Sequence, residues 1–223
     1  MGPLIAIVGA DGSGKSTVCE ALLAWLQESG PAELCHLGIQ SDNLARAIGR
    51  LPLVGRLVER KVRSKVKKAE NVRGVGPAEA IVIYLFALRR LRRFRRMLKR
   101  RSTGATILTD RFPQLAFPSG LDGPGFARVK ADSGFAKWLA AKEWRLFEWM
   151  TNQPPDLVLR LNIDVGTAVE RKPDHAPELL AKKIASIPRL GFGTAPVVDI
   201  DATRPLDEVL AQAKAAITER VRR

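Results

Sequence analysis

A chain of 223 residues, 46% of them hydrophobic, is long enough to bury its own core, and its two cysteines make no disulfide framework. The net charge of +14 is concentrated: Arg56 to Lys68 carries seven basic residues and one acid, Arg89 to Arg101 nine basic residues and no acid, and the remainder nearly balances. No apolar stretch approaches the roughly eighteen residues of a membrane-crossing helix, and the first apolar run starts too early to follow a charged leader, so the expectation is a cytoplasmic protein.

Leu4 to Val8 predicts a buried strand, and Lys15 to about Glu28 a helix with Cys19 as a small core residue. After the Gly30-Pro31 breaker, Glu33 to Leu37 predicts a second strand, with Cys35 a core residue. Residues 41 to 70 read as irregular helix, interrupted by Gly49, Pro52 and Gly55. Pro77 to Arg101 predicts one long helix, its proline placed in the first turn where a missing N–H costs little. Leu85, Leu88, Leu91, Phe94 and Leu98 recur along it at helical spacing, so they are expected to face the core with arginines over the rest of the surface. Ala105 to Thr109 is a short strand, and 113 to 126 a Pro/Gly-rich loop of a length that points to function. Lys130 to Met150 predicts a helix with Trp138, Leu139, Trp144 and Phe147 in the core. Then come strand Asp156 to Ile163, helices Val165 to Arg171 and Pro177 to Ile187, strand Pro196 to Ile200, and helix Leu206 to Arg220. Strands separated by helices imply a three-layer α/β fold, a parallel sheet with helices on both faces, in one domain with no internal repeat.

Between the first strand and helix stands Gly9-Ala10-Asp11-Gly12-Ser13-Gly14-Lys15-Ser16, a phosphate-binding loop (P-loop) in its expected strand–loop–helix setting. Gly9, Gly12 and Gly14 let successive N–H groups turn inward on an anion, and the helix adds its positive end. Lys15 can reach the terminal phosphates, the Ser16 hydroxyl is placed to hold Mg²⁺, and Thr17 supplies another hydroxyl. The nucleotide-holding set is Gly9, Asp11, Gly12, Ser13, Gly14, Lys15, Ser16 and Thr17. Asp110 and Arg111 follow the Ala105 to Thr109 strand, so they belong at the same carboxyl edge of the sheet. A carboxylate there can bind Mg²⁺ through water or orient the attacking group, and the guanidinium can clamp an anionic acceptor. His36 and His175 read as ordinary loop residues.

The chain resembles the thymidylate kinase family of nucleoside monophosphate kinases. The likeness rests on the loop through Thr17, on Leu85-Phe86-Ala87-Leu88-Arg89-Arg90, on Thr109-Asp110-Arg111-Phe112, and on Pro155 to Asp164, Glu170-Arg171 and Val198 to Ala202. It implies an ATP- and Mg²⁺-dependent kinase acting on an anionic acceptor such as dTMP. Lys15, Asp110, Arg111 and Arg171 would be its catalytic residues, with Ser16 and Asp110 at the metal. The resemblance also puts Arg90 beside Arg111 at the acceptor, and a lid near 171–177 that brings Arg171 to the transferred group. The basic helical segment 41–101 would lie on the acceptor side. The family's acidic-proline pair after the second strand is replaced by His36-Leu37-Gly38-Ile39, and its serine and aromatic residues after Asp-Arg by Pro113 to Pro118.

Two further acceptor readings follow: a kinase of a phosphorylated sugar, glycan or lipid-linked acceptor at a membrane, or a nucleotide-binding regulator without kinase activity. The chain argues against a GTPase, because the guanine-reading element needs an Asn-Lys pair and the chain has none. The segments Arg56 to Lys68 and Arg89 to Arg101 would attract an anionic membrane or another polyanion, placing the protein at the inner face of a membrane. Sparse aromatic interleaving argues against nucleic acid. A homodimer is compatible with the chain.

Overall fold

The computed structural model describes residues 1–38 and 74–221; the irregular helical segment expected over 41–70, with Arg56 to Lys68, lies outside the described residues. Five parallel strands form one sheet in the order β2-β3-β1-β4-β5: β1 (Leu4–Gly9), β2 (Ala32–Cys35), β3 (Thr106–Thr109), β4 (Leu157–Asn162) and β5 (Val197–Asp201). Around it lie α1 (Lys15–Gln27), α2 (Pro77–Ser102), α3 (Gly134–Thr151), α4 (Val165–Arg171), α5 (Pro177–Ser186) and α6 (Leu206–Val221).

Strand alternation in β1 builds the layers. Leu4, Ala6 and Val8 share one core with Ala87, Leu91, Phe94 and Met97 of α2 and Phe147 and Met150 of α3. Ile5 and Ile7 point the other way, to Val18, Cys19 and Leu22 of α1 and Val209, Ala213 and Ile217 of α6. Covered on both faces, β1 has no polar residue to spare, which is why it reads as a continuous apolar run. This is the three-layer α/β arrangement that the alternation of elements predicts. Cys19 is buried and Cys35 partly so, and both thiols are free.

The structure corrects two expectations on the helices. Trp138 and Trp144 are exposed rather than core, because α3 turns Ala136, Leu139, Glu143, Phe147 and Met150 inward and leaves both indoles off that stripe. In α2 the inward face is Ala80, Ala87, Arg90, Leu91, Phe94 and Met97, so Leu85 is exposed and one arginine of the basic run, Arg90, is buried. Helix α3 begins four residues later than its apolar pattern does, because Ser133 caps it by accepting the Ala136 N–H at 3.1 Å. Among the described residues no helix is long and apolar enough to cross a membrane.

Candidate phosphate-binding site

The loop between β1 and α1 takes the shape its glycines permit. Gly12 and Gly14 stand in the left-handed region at φ 87° and 77°, and a methyl group on Gly12 would also press within 3.2 Å of the Ala168 backbone. Ser13 is buried and donates its hydroxyl to the Ala10 carbonyl at 2.9 Å, holding the turn from within. Lys15 folds back over the loop and donates to the same carbonyl at 2.6 Å. Burial, reinforced by the neighbouring Arg111, lowers the Lys15 ammonium to about 8. Ser16 and Thr17 are exposed at the start of α1.

At the carboxyl edge of the sheet, Asp110 leaves β3 beside the loop. Its Oδ1 accepts the Leu37 N–H at 3.1 Å, and its Oδ2 lies 3.0 Å from His36 Nδ1. Arg111 is 3.7 Å from Asp11 and 3.8 Å from Asp122, and its aliphatic stem runs so close to Gly38 that a β-carbon there would come within 2.7 Å. Arg93 donates to the Gly38 carbonyl at 2.9 Å and fastens the same turn. Lys15 feels Arg111, Asp11, Asp122 and Asp110 electrostatically, so these groups share one environment.

Arg90 is placed differently from a surface arginine. Its Nε donates to the Leu37 carbonyl at 3.0 Å, Nη1 to the Asp122 carbonyl at 2.9 Å and Nη2 to the Asp122 carboxylate at 3.1 Å, while the guanidinium lies over the Phe147 ring. Asp122 itself has φ 61°, a strained backbone for a residue with a side chain, and two arginines hold it there. The rest of that loop is wound on Gln114, fully buried, which bonds the Phe117 and Leu121 carbonyls and the Phe117 N–H, each at 2.8 Å. Glu143 of α3 closes the loop by accepting from Gly125 and Phe126, both at 2.9 Å.

From the other side come the residues after β4. Asp164 caps α4 by accepting the Thr167 N–H, and the helix ends at Arg171, whose guanidinium donates to the Ala202 carbonyl at 2.9 Å and the Gly12 carbonyl at 3.3 Å. Lys183 of α5 pairs with Asp11. Burial works to raise the Asp11 carboxyl, but the Lys183 hydrogen bond and charge, with Lys15 and Arg111 behind it, hold it below the usual carboxylate range. The structure therefore gathers the loop, Asp110, Arg111 and Arg171 around one edge of the sheet, and sets Arg90 behind them as a buried partner of Asp122.

The sequence presents His36 as an ordinary loop residue and gives no role to Asp122 or Lys183. Asp122 carried a usable signal, since an Asp between glycines in Gly120-Leu121-Asp122-Gly123 is a residue that tolerates the left-handed region. Lys183 and His36 carried none, because their partners lie far away in the chain.

A Gly-rich loop joining the first strand to the first helix, at the carboxyl edge of a five-stranded parallel sheet among the described residues, defines a P-loop type α/β fold, with a helix N-terminus of the kind that suits an anion. No protein-family model matches the chain. Over 219 residues it is 38% identical to "Uncharacterized ATP-binding protein YghR" of Escherichia coli, in strain K12 and equally in O6:H1 strain CFT073, spanning 96% of this chain and 86% of the relative. "Uncharacterized ATP-binding protein YghS" of strain K12 is 39% identical over 217 residues, spanning 96% of this chain and 92% of the relative. The chain belongs to the family of YghR and YghS.

Proposed function

We propose that the protein binds ATP with Mg²⁺ and transfers the terminal phosphoryl group to an anionic acceptor, as a cytoplasmic kinase resembling thymidylate kinase. The observation that carries this reading is the convergence of four cations from four elements on one loop: Lys15 of α1, Arg111 after β3, Arg171 of α4 and Lys183 of α5. Phosphoryl transfer asks for little covalent help and much charge cancellation on the moving group, which such a ring supplies. The relatives' names carry ATP binding.

Lys15 and Arg171 act on the transferred group, Arg111 holds the acceptor, and Arg90 supports Arg111 through their shared contact with Asp122. The residues fit Mg²⁺: the Ser16 hydroxyl is exposed at the loop, and each Asp110 oxygen keeps a lone pair beyond the one it gives to His36 or Leu37, enough to hold a metal-bound water. When bound, the ion neutralises charge between the terminal phosphates. The described residues form one domain in this reading, with 171–177 as a lid that follows Arg171.

One observation favours an acceptor other than thymidylate. The position of the family's acidic-proline pair holds His36 and Leu37, and both are tied to Asp110, so the pocket edge is remade and a phosphorylated sugar, glycan or lipid-linked acceptor becomes the second reading.

The test is ADP formation from Mg-ATP against a panel of nucleoside monophosphates, phosphosugars and lipid-linked phosphates, dTMP first. An acceptor that stimulates ADP release should lose that stimulation by about a thousandfold or more in Arg171→Ala, with ATP still bound. ATP uptake with no stimulation by any acceptor would turn the assignment into that of a nucleotide-binding regulator.

A further inference from the structure

Beyond the phosphate site, the exposed face of α2 and α3 carries a pattern that phosphoryl transfer does not use and that meets the core where Trp149 packs edge to face on Phe94, ring centroids 6.0 Å apart. On α3, Phe135, Trp138, Lys142, Arg145 and Trp149 follow one another at alternating three- and four-residue steps, so they stand in one row on a single side of the helix, and all are exposed. Trp138 is 54% exposed, stacks on Phe135 and lies under the Lys142 ammonium. Arg95 of α2 lies over the Trp149 ring at 5.4 Å, joining the row to the exposed Arg92, Arg96 and Lys99 of that helix. Ile81 and Leu85 extend the apolar part along α2.

The two acids of α3 are turned away from the row. Glu143 is buried against Gly125 and Phe126, and Glu148 accepts from the Trp144 indole at 2.8 Å. What remains is large aromatic rings interleaved with cations. A second copy of this face would bring like charges together. Indoles and aliphatic side chains flanked by Lys and Arg are the composition that settles at a bilayer's headgroup level, where the rings find the acyl boundary and the cations find lipid phosphates.

We propose that the α2–α3 face docks on an anionic lipid bilayer, with Trp138 and Trp149 entering the headgroup region and Lys142, Arg145, Arg95 and Arg96 pairing with lipid phosphates. This does not depend on the kinase reading, because it uses none of the residues around the P-loop.

The experiment is co-sedimentation of the full chain with vesicles of equimolar phosphatidylcholine and phosphatidylglycerol, against vesicles of phosphatidylcholine alone, with tryptophan quenching by acyl-brominated lipid. Binding should require the anionic lipid, weaken steeply with salt and quench fluorescence. Lys142→Gln with Arg145→Gln should weaken it by about fivefold per cation removed. Trp138→Ser should lower the quenching, and its exposed position leaves the melting temperature unchanged as a control on folding. Equal binding to neutral vesicles, no binding to either, or quenching unaltered in Trp138→Ser overturns the proposal. Tighter binding to a single-stranded oligonucleotide than to anionic vesicles, or a dimer that forms through this face, assigns the surface to another partner and overturns it equally.

Discussion

The lowered Lys15 pKa makes nucleotide uptake pH-dependent in a calculable way. Burial, with Arg111 adding to it, holds the ammonium at about 8 in the free protein. A polyphosphate drawn into the loop gives that charge a partner and raises its pKa again, so affinity is full below the free-state value and is lost as the pH rises through it. With a pKa of about 8, about nine-tenths of Lys15 is charged near pH 7 and about one-tenth near pH 9. If the charged form alone grips phosphate, the apparent affinity for Mg-ATP falls about tenfold across that window, and about half a proton is taken up per nucleotide at pH 8. Neither thiol interferes, since burial pushes Cys19 up to about 12 and raises Cys35 as well. Calorimetry at the two pH values, repeated in buffers of different ionisation heat, reads both quantities. Lys15→Met should bind weakly and without a slope. An affinity that is flat in the native protein, or a tenfold fall that survives in Lys15→Met, would refute the reasoning.

Two expectations concern the supports behind the site. Arg90→Ala leaves the Asp122 carboxylate, 9% exposed, with the longer Arg111 contact in place of its hydrogen-bonded partner and should cost about 3 kcal/mol in urea unfolding; a loss under about 1 kcal/mol would mean the pair contributes little. Glu143→Gln keeps an acceptor for one of the Gly125 and Phe126 N–H groups but not both, so a loss of about 1–3 kcal/mol is expected, and unchanged stability would show that the loop does not lean on α3.

All five described strands were legible in the sequence because buried parallel strands and the breakers between them are local signals. The errors at their ends have local causes too. The second strand stops at Cys35 rather than Leu37 because the Leu37 N–H goes to the Asp110 side chain, and the last starts at Val197 because Pro196 has no N–H to give. The P-loop was legible because its function resides in backbone shape that glycines announce. Less could be read of the surrounding charges. Lys183 meets Asp11 across 172 positions and Asp122 meets Arg90 across 32, pairings that only the folded topology creates. Trp138 and Trp144 of α3 show the limit of composition: residue type points an indole to the core, and the helix period puts these two outside.

Asp11 gives the loop a property that its glycines do not. Its carboxylate already occupies Lys183 and faces Arg111, so the resting cavity is not an open positive well that any passing sulfate or orthophosphate could fill. A guest must carry enough negative charge to displace an internal counter-ion, and a polyphosphate chain does so where a small lone anion gains little. On the proposed reading, the Asp11 pairs would make the loop favour a polyphosphate over a small lone anion by valence, before any recognition of a base or a sugar begins.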